Sequence, residues 1–249
     1  MTNKWLKVAL MVTAIATGTS IKIDAETVLY VPQDDRPVSL QYTVDTAREA
    51  GMTVLTPPQH LISGKTYQGQ ADQIMAWVEQ NAGRADVMVL STATLIYVGL
   101  VDSRKHNIPL STLQNRLKRI EGLKARNKNV RIYGFGTVMR SPRASGGGTE
   151  PAYYAEYGPT IFQIAALQDK LDSGSLTQEE TQKLMSLQAS VPVEYLQDWF
   201  DRRQKTMKIN KELIDETRSG VFDYFALGHD ATSKLSQSAL DGRYLNNYP

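Results

Sequence analysis

The sequence predicts an α/β domain: a doubly wound, mostly parallel sheet with a helical insertion of about residues 151–218 before the last strand. Three observations carry this reading. Short β-rich runs alternate with longer amphipathic runs, the pattern of strands joined by crossover helices. The β-rich runs are nearly continuous in apolar residues, as strands are when helices cover both faces of a sheet. After Pro151 the alternation gives way to helical patterns alone, until one more β-rich run closes the series.

Taken in order, the first strand is expected at 28–31, where Val28, Leu29, Tyr30 and Val31 stand together. A helix over about 40–50 follows, and Gly51 fits its stop because glycine readily adopts the left-handed conformation that ends helices. Strands at 53–55, 87–90 and 130–135 alternate with helices at about 71–81 and 112–126, the latter with Ser111 as expected N-cap. The insertion reads as helices at about 152–171, 177–187 and 192–218, and Thr177-Gln178-Glu179-Glu180 has the form of a capping box. Tyr153, Tyr154, Tyr157, Ile161, Phe162, Ile164, Ala165 and Leu167 recur at helical spacing and read as a core-facing stripe. As a unit, the insertion is placed to lie over the sheet edge as a lid or subdomain. The last strand is expected at 222–227. Residues 228–249 carry little apolar periodicity, which predicts sheet surface left open to self-association or to a further C-terminal segment. A glycine-rich stretch, Ser145-Gly146-Gly147-Gly148-Thr149, reads as a mobile loop.

Residues 1–25 read as an export signal. Lys4 and Lys7 precede an apolar core at 8–16 that is too short to span a bilayer, and Ala25 is the small residue a signal peptidase needs. The expected product is residues 26–249, exported to the cell envelope or beyond, or to a periplasm where two membranes exist, with an uncleaved N-terminal anchor as the alternative. Its acidic and basic residues are equal in number, because Lys4, Lys7, Lys22 and Asp24 leave with the signal. A neutral chain without a basic block lacks the electrostatic footprint of a nucleic-acid binder. Cysteine is absent, which excludes disulfides, thiolate nucleophiles and Cys-ligated zinc. No later segment approaches the roughly 20 apolar residues of a membrane span.

Function points to the strand ends. Asp34, Asp35, Arg36 and Pro37 follow directly on the first strand, and in an open parallel sheet the carboxyl edge borders the ligand crevice. The same edge receives Ser91, Thr92 and Thr94 after the third strand with Arg104 on the following loop, Arg140 and Arg143 after the fourth, and His229 and Asp230 after the fifth. Carboxylates and an imidazole suit proton transfer or metal binding, and arginines suit bidentate recognition of carboxylate or phosphate. The candidate catalytic residues are therefore Asp34, Asp35, Asp230 and His229. Arg36, Arg104, Arg140, Ser91 and Thr92 are the candidate substrate-binding residues. His60 and His106 have no partner nearby in sequence and receive no role. Phosphate-loop, nucleophile-elbow and zinc-helix motifs are absent, and Gly134-Phe135-Gly136 alone is no dinucleotide fingerprint.

Five stretches together resemble a bacterial family known as domain of unknown function 4127. They are Tyr30-Val31-Pro32-Gln33-Asp34-Asp35-Arg36-Pro37, Gly99-Leu100-Val101-Asp102-Ser103-Arg104, Met139-Arg140, Tyr153-Tyr154-Ala155-Glu156-Tyr157-Gly158 and Gly228-His229-Asp230-Ala231-Thr232. The resemblance implies that the chain matches the N-terminal half of a longer architecture. It also implies two departures: Gln33 replaces an apolar residue, and Ala231 stands where the family tends to carry a second aspartate.

The leading expectation is a hydrolase-like protein acting on a glycan or another polar envelope substrate. Asp34 and Asp35 alternate in direction if extended, so Asp230 is the better partner for whichever points inward. One rival is a non-catalytic binding protein or a degraded, truncated enzyme. Another is a metal-assisted hydrolase using Asp34, Asp35, Asp230 and His229; no cofactor is evident, but a divalent metal fits that set.

Overall fold

The structure, a computed structural model, describes residues 25–144, 147–229, 231 and 233–249. The expected signal therefore lies outside the described residues, except for Ala25. Five strands, β1 (Thr27–Val31), β2 (Thr53–Leu55), β3 (Val87–Ser91), β4 (Arg131–Val138) and β5 (Tyr224–His229), form one sheet. The order is β2-β1-β3-β4-β5 and every pairing is parallel. This is a doubly wound order, in which the winding reverses between β1 and β3.

Eight α-helices accompany the described strands: α1 (Gln41–Glu49), α2 (Ala71–Asn81), α3 (Thr92–Tyr97), α4 (Leu110–Arg126), α5 (Tyr154–Asp172), α6 (Gln178–Ala189), α7 (Val193–Arg218) and α8 (Gln237–Asn246). Strand alternation sends Leu29, Val31, Met88, Leu90 and Ile132 to one face of the sheet. There they pack with Ile74 and Val78 of α2, Leu113 and Ile120 of α4, and Ile209 and Leu213 of α7 in one core. Val28, Tyr30, Val89 and Tyr133 point the other way, where Thr43 and Ala47 of α1 border a groove of about 260 Å³. Helices thus flank both faces, but unevenly. Over β4 and β5 the second face is thinly covered, with Tyr133, Phe135 and Ala226 half-buried and Tyr224 64% exposed.

The insertion has its own core, in which Tyr154, Ile161, Ile164 and Ala165 of α5 meet Leu184 of α6 and Trp199 of α7. The 26 residues of α7 span both cores, Trp199 in the second and Ile209 in the first, so the insertion is an elaborated crossover from β4 to β5. The tyrosine stripe divides. Tyr154 is fully buried, its ring lying where a Cβ at Gly158 would be, whereas Tyr153 and Tyr157 pack at the margin. The capping box at Thr177 is present, with Glu180 N donating to its hydroxyl at 3.2 Å and Thr177 N to the Glu180 carboxylate at 3.1 Å. Gly51 has φ +85°, as a helix stop requires.

Three elements differ from the sequence reading. Ser111 is no cap: α4 starts at Leu110 on Pro109, whose fixed φ suits a helix start. Helix α3 is buried along its whole length, so no polar face marks it as a helix. Helix α8 is fastened by polar contacts rather than by an apolar stripe. Ser236 N donates to Asp169 at 3.0 Å, Arg243 pairs with Asp169, and Asp241 pairs with Arg203 at 2.6 Å. On β4, Gly134 and Gly136 leave room for the rings of Phe222 and Phe225 and the Thr92 hydroxyl, a packing reason for the lone G-x-G.

Candidate functional site

A crevice of about 490 Å³ opens at the carboxyl ends of the strands. Gln33, Asp34 and Arg36 reach it from β1, Thr137 and Arg140 from β4, and Gly228 and His229 from β5. The topology makes this meeting possible, since parallel strands all deliver their following loops to one edge.

The loop after β1 separates its two aspartates. Asp34 is 3% exposed and lines the crevice, accepting from Arg36 Nε at 2.8 Å and from the Arg36 backbone N–H at 3.2 Å. Asp35 turns away and accepts from the Tyr67 hydroxyl, while its N–H donates to Ser63 O at 2.9 Å. One carboxylate, not two, therefore comes to the crevice from this corner.

Arg104 arrives by a strained route. Val98, at the end of α3, has φ +70°, a left-handed conformation that costs a β-branched residue free energy. Neighbouring bonds hold it there: Gly99 N donates to Ala93 O at 3.0 Å and Gly69 N to Val98 O at 3.2 Å. Leu100 N then donates to Gln33 O at 3.1 Å, which ties this turn to the end of β1 and brings Arg104 to the crevice that Asp34 also lines. Asp102 of the same turn is buried and accepts from Gln68 at 3.1 Å. Burial raises its pKa above the usual carboxylate value, outweighing the opposing Gln68 bond and the Lys105 charge.

Arg140 is held from two sides. Its Nε donates to Glu150 at 2.7 Å and one Nη to Thr149 Oγ1 at 2.8 Å, while its carbonyl accepts from Arg203 at 3.0 Å. Arg203 also donates to Met139 O at 2.7 Å and pairs with Asp241 at 2.6 Å, so one buried guanidinium joins the end of β4 to α8. Glu150 is 6% exposed, and desolvation raises its pKa although Arg140, Arg104 and Arg203 all lower it. Burial outweighs the three arginines in setting that direction.

His229 ends β5 at the rim. Its ring lies against Gly242 of α8, where any Cβ would overlap it. It also borders a second, mostly apolar cavity of about 460 Å³ formed with Phe225, Leu227 and Leu245. Asp230 lies outside the described residues. Ser91 and Thr92 do not line the crevice: Ser91 caps α3 by accepting from Thr94 N at 3.4 Å, and the Thr92 hydroxyl donates to Phe135 O at 3.2 Å. Thr94 likewise donates to Pro32 O at 2.6 Å, and Arg143 stacks on Phe162 at 5.3 Å. These hydroxyls hold the strand ends in place rather than facing a ligand.

A family model described as a protein of unknown function (DUF4127) matches residues 28–249. The chain belongs to this family. No curated protein and no solved structure matches it. Of the stretches that carry the resemblance, those around Asp34, Arg104, Arg140 and His229 all reach the crevice. Lys65 and Thr149 also line it and were not anticipated, nor was the buried Glu150 behind them. All three sit on long connections whose path no periodicity reveals. Among the described residues, no three His, Asp or Glu side chains cluster as a metal-ligand set, and no helix is long and apolar enough to cross a membrane.

Proposed function

We propose that this protein is exported and binds an acidic glycan of the cell envelope in the carboxyl-edge crevice, with hydrolase-like chemistry. The observation that carries the reading is the charge of that crevice: Arg36, Lys65, Arg104 and Arg140 border it with Asp34 as the one carboxylate among its described lining residues. Guanidinium groups bind carboxylate in a fixed planar geometry, so a uronic acid or similarly acidic sugar fits better than a neutral one. Cleaving a glycosidic bond requires a proton donor and a base about 5 to 9.5 Å apart. Asp34 faces the crevice, Asp230 follows on the β5 end as its proposed partner, and His229 moves a proton between substrate and solvent. A metal-assisted version would recruit Asp34, His229 and Asp230 as ligands.

Titration calorimetry with glucuronic acid tests the binding claim. Arg140→Gln, made together with Glu150→Gln so that no buried carboxylate loses its partner, should weaken binding by about tenfold. Unchanged affinity would overturn the assignment of the crevice. Asp34→Asn should abolish turnover of acidic oligosaccharides while leaving binding intact, and loss of turnover on adding a chelator would favour the metal-assisted version. The non-catalytic reading draws support from the pairing of both Asp34 oxygens with Arg36; binding without turnover in the parent protein would establish it. For export, N-terminal sequencing of secreted protein should begin at Glu26, directly before β1.

A further inference from the structure

Beside the crevice lies a second cleft of different chemistry. Its volume is about 700 Å³, and Tyr153, Tyr195, Glu194, Asp198 and Arg202 line it. The two cavities share a dividing wall. Thr149 faces the crevice while Gly148 and Glu150 face the cleft, and Arg104 faces the crevice while Lys105 faces the cleft. Lys105 closes this wall by donating to Gly148 O at 3.0 Å.

The cleft is built, not a gap between loosely packed helices. The rings of Tyr153 and Tyr195 stack with centroids 4.7 Å apart and planes 10° apart, and Tyr157 leans on Tyr195 at 5.5 Å. The Tyr153 hydroxyl donates to Asp198 at 2.7 Å and accepts from Arg202 at 3.5 Å. Arg202 is 3% exposed and fixes the wall from below, donating to His106 O at 2.8 Å and pairing with Asp198 at 2.6 Å. The paired rings give the cleft a rigid aromatic wall bordered by carboxylates and a guanidinium, which suits a ligand with apolar C–H groups and a rim of hydroxyls, as a pyranose ring has. Charge distinguishes the two cavities. The crevice is dominated by cations, whereas Glu150, Glu194 and Asp198 offset Lys105 and Arg202 in the cleft.

From this juxtaposition we infer that the cleft is a second sugar subsite, so that the substrate is an oligosaccharide spanning the wall with an acidic ring in the crevice and a neutral ring in the cleft. This rests on the reading that the crevice takes an acidic sugar. It gives Tyr153, which the tyrosine-rich stretch supplies and the sheet core does not use, a place in recognition.

The test compares three probes by calorimetry: glucuronic acid, glucuronic acid joined to a neutral hexose, and a neutral hexose disaccharide. The mixed disaccharide should bind about tenfold more tightly than the monosaccharide. Tyr195→Leu, which keeps apolar bulk but removes the aromatic ring from the cleft wall, should abolish that gain and leave the monosaccharide affinity unchanged. Fluorine NMR of fluorotyrosine-labelled protein, with the Tyr195 signal assigned through the Leu variant, should show that signal move with the mixed disaccharide and not with the monosaccharide. Equal affinity for monosaccharide and mixed disaccharide would overturn the subsite while leaving the crevice reading standing, and so would a gain that survives Tyr195→Leu. Failure of the monosaccharide to bind, with the Tyr195 signal moved by the neutral disaccharide, would overturn the crevice reading and keep the cleft as a sugar site. No binding and no signal shift with any probe would overturn both.

Discussion

Arg202 and Arg203 are neighbours on α7 and both are buried, yet they support regions of opposite character. Arg203 reaches toward the crevice, where it holds the carbonyls of Met139 and Arg140 and pairs with Asp241, itself 8% exposed. Arg202 reaches toward the tyrosine-walled cleft, and its partner Asp198 keeps a side-chain exposure of 34%. Successive helix residues point about 100° apart, so one helix can brace two sites at once. The difference lies in what each arginine leaves behind when removed: a desolvated carboxylate on one side, a hydrated one on the other.

The largest expected effect therefore belongs to Arg203. Arg203→Met should cost about 3 to 5 kcal/mol in urea denaturation, because Asp241 is left buried without its countercharge. Adding Asp241→Leu should restore much of that stability. Arg202→Met should cost less, about 1 to 3 kcal/mol, mainly through the unpaired His106 carbonyl. Equal losses for the two single variants would break the comparison.

The titratable groups on the two sides should give opposite pH dependences. His106 sits beneath Arg202, and burial, aided by the Arg202 and Lys205 charges, depresses its pKa to about 3 from 6.5. Its contribution to stability is full above pH 6.5 and is lost as pH falls toward 3, since the unfolded chain takes up the proton first. His106→Leu should flatten that acid limb. Glu150, behind Arg140, has a raised pKa, so its contribution is full below pH 4.5 and is lost as pH rises through the folded-state value. Glu150→Gln should remove the loss on the rising side, read from melting temperature against pH. The smallest effect is expected of Tyr153→Phe, about 0.5 to 1.5 kcal/mol, for loss of the short half-buried hydrogen bond to Asp198 and the long one from Arg202, with the stacked ring retained.

Much of the fold was legible in the sequence because strands and crossover helices announce themselves by period. The strands expected at 28–31, 53–55, 87–90, 130–135 and 222–227 all form, with boundaries shifted by a few residues at β4 and β5. The parallel topology also made the meeting of Asp34, Arg36, Arg104, Arg140 and His229 legible, since strand order matters less than the shared carboxyl edge. Periodicity failed where burial or polarity erased it. Helix α3 has no exposed face to set against a buried one, and α8 is held by Asp169, Asp241 and Arg203 rather than by an apolar stripe.

By itself, then, the sequence determined the α/β class, the family membership and the edge of the sheet on which charged residues gather, because these follow from residue type and local period. Tertiary structure decided which of those residues face a common space. Asp34 enters the crevice and Asp35 does not, because the chain bends after β1 and Tyr67 captures the second carboxylate. Ser91 serves the backbone because α3 starts immediately after β3 and its N-terminus needs an acceptor, and Thr92 does so by donating to Phe135 O on β4. Glu150 acquires its raised pKa from burial, and Tyr195 its place beside Tyr153 from the fold-back of α7 on α5. Burial and contacts between distant segments arise only when the chain closes on itself, and no local pattern encodes them.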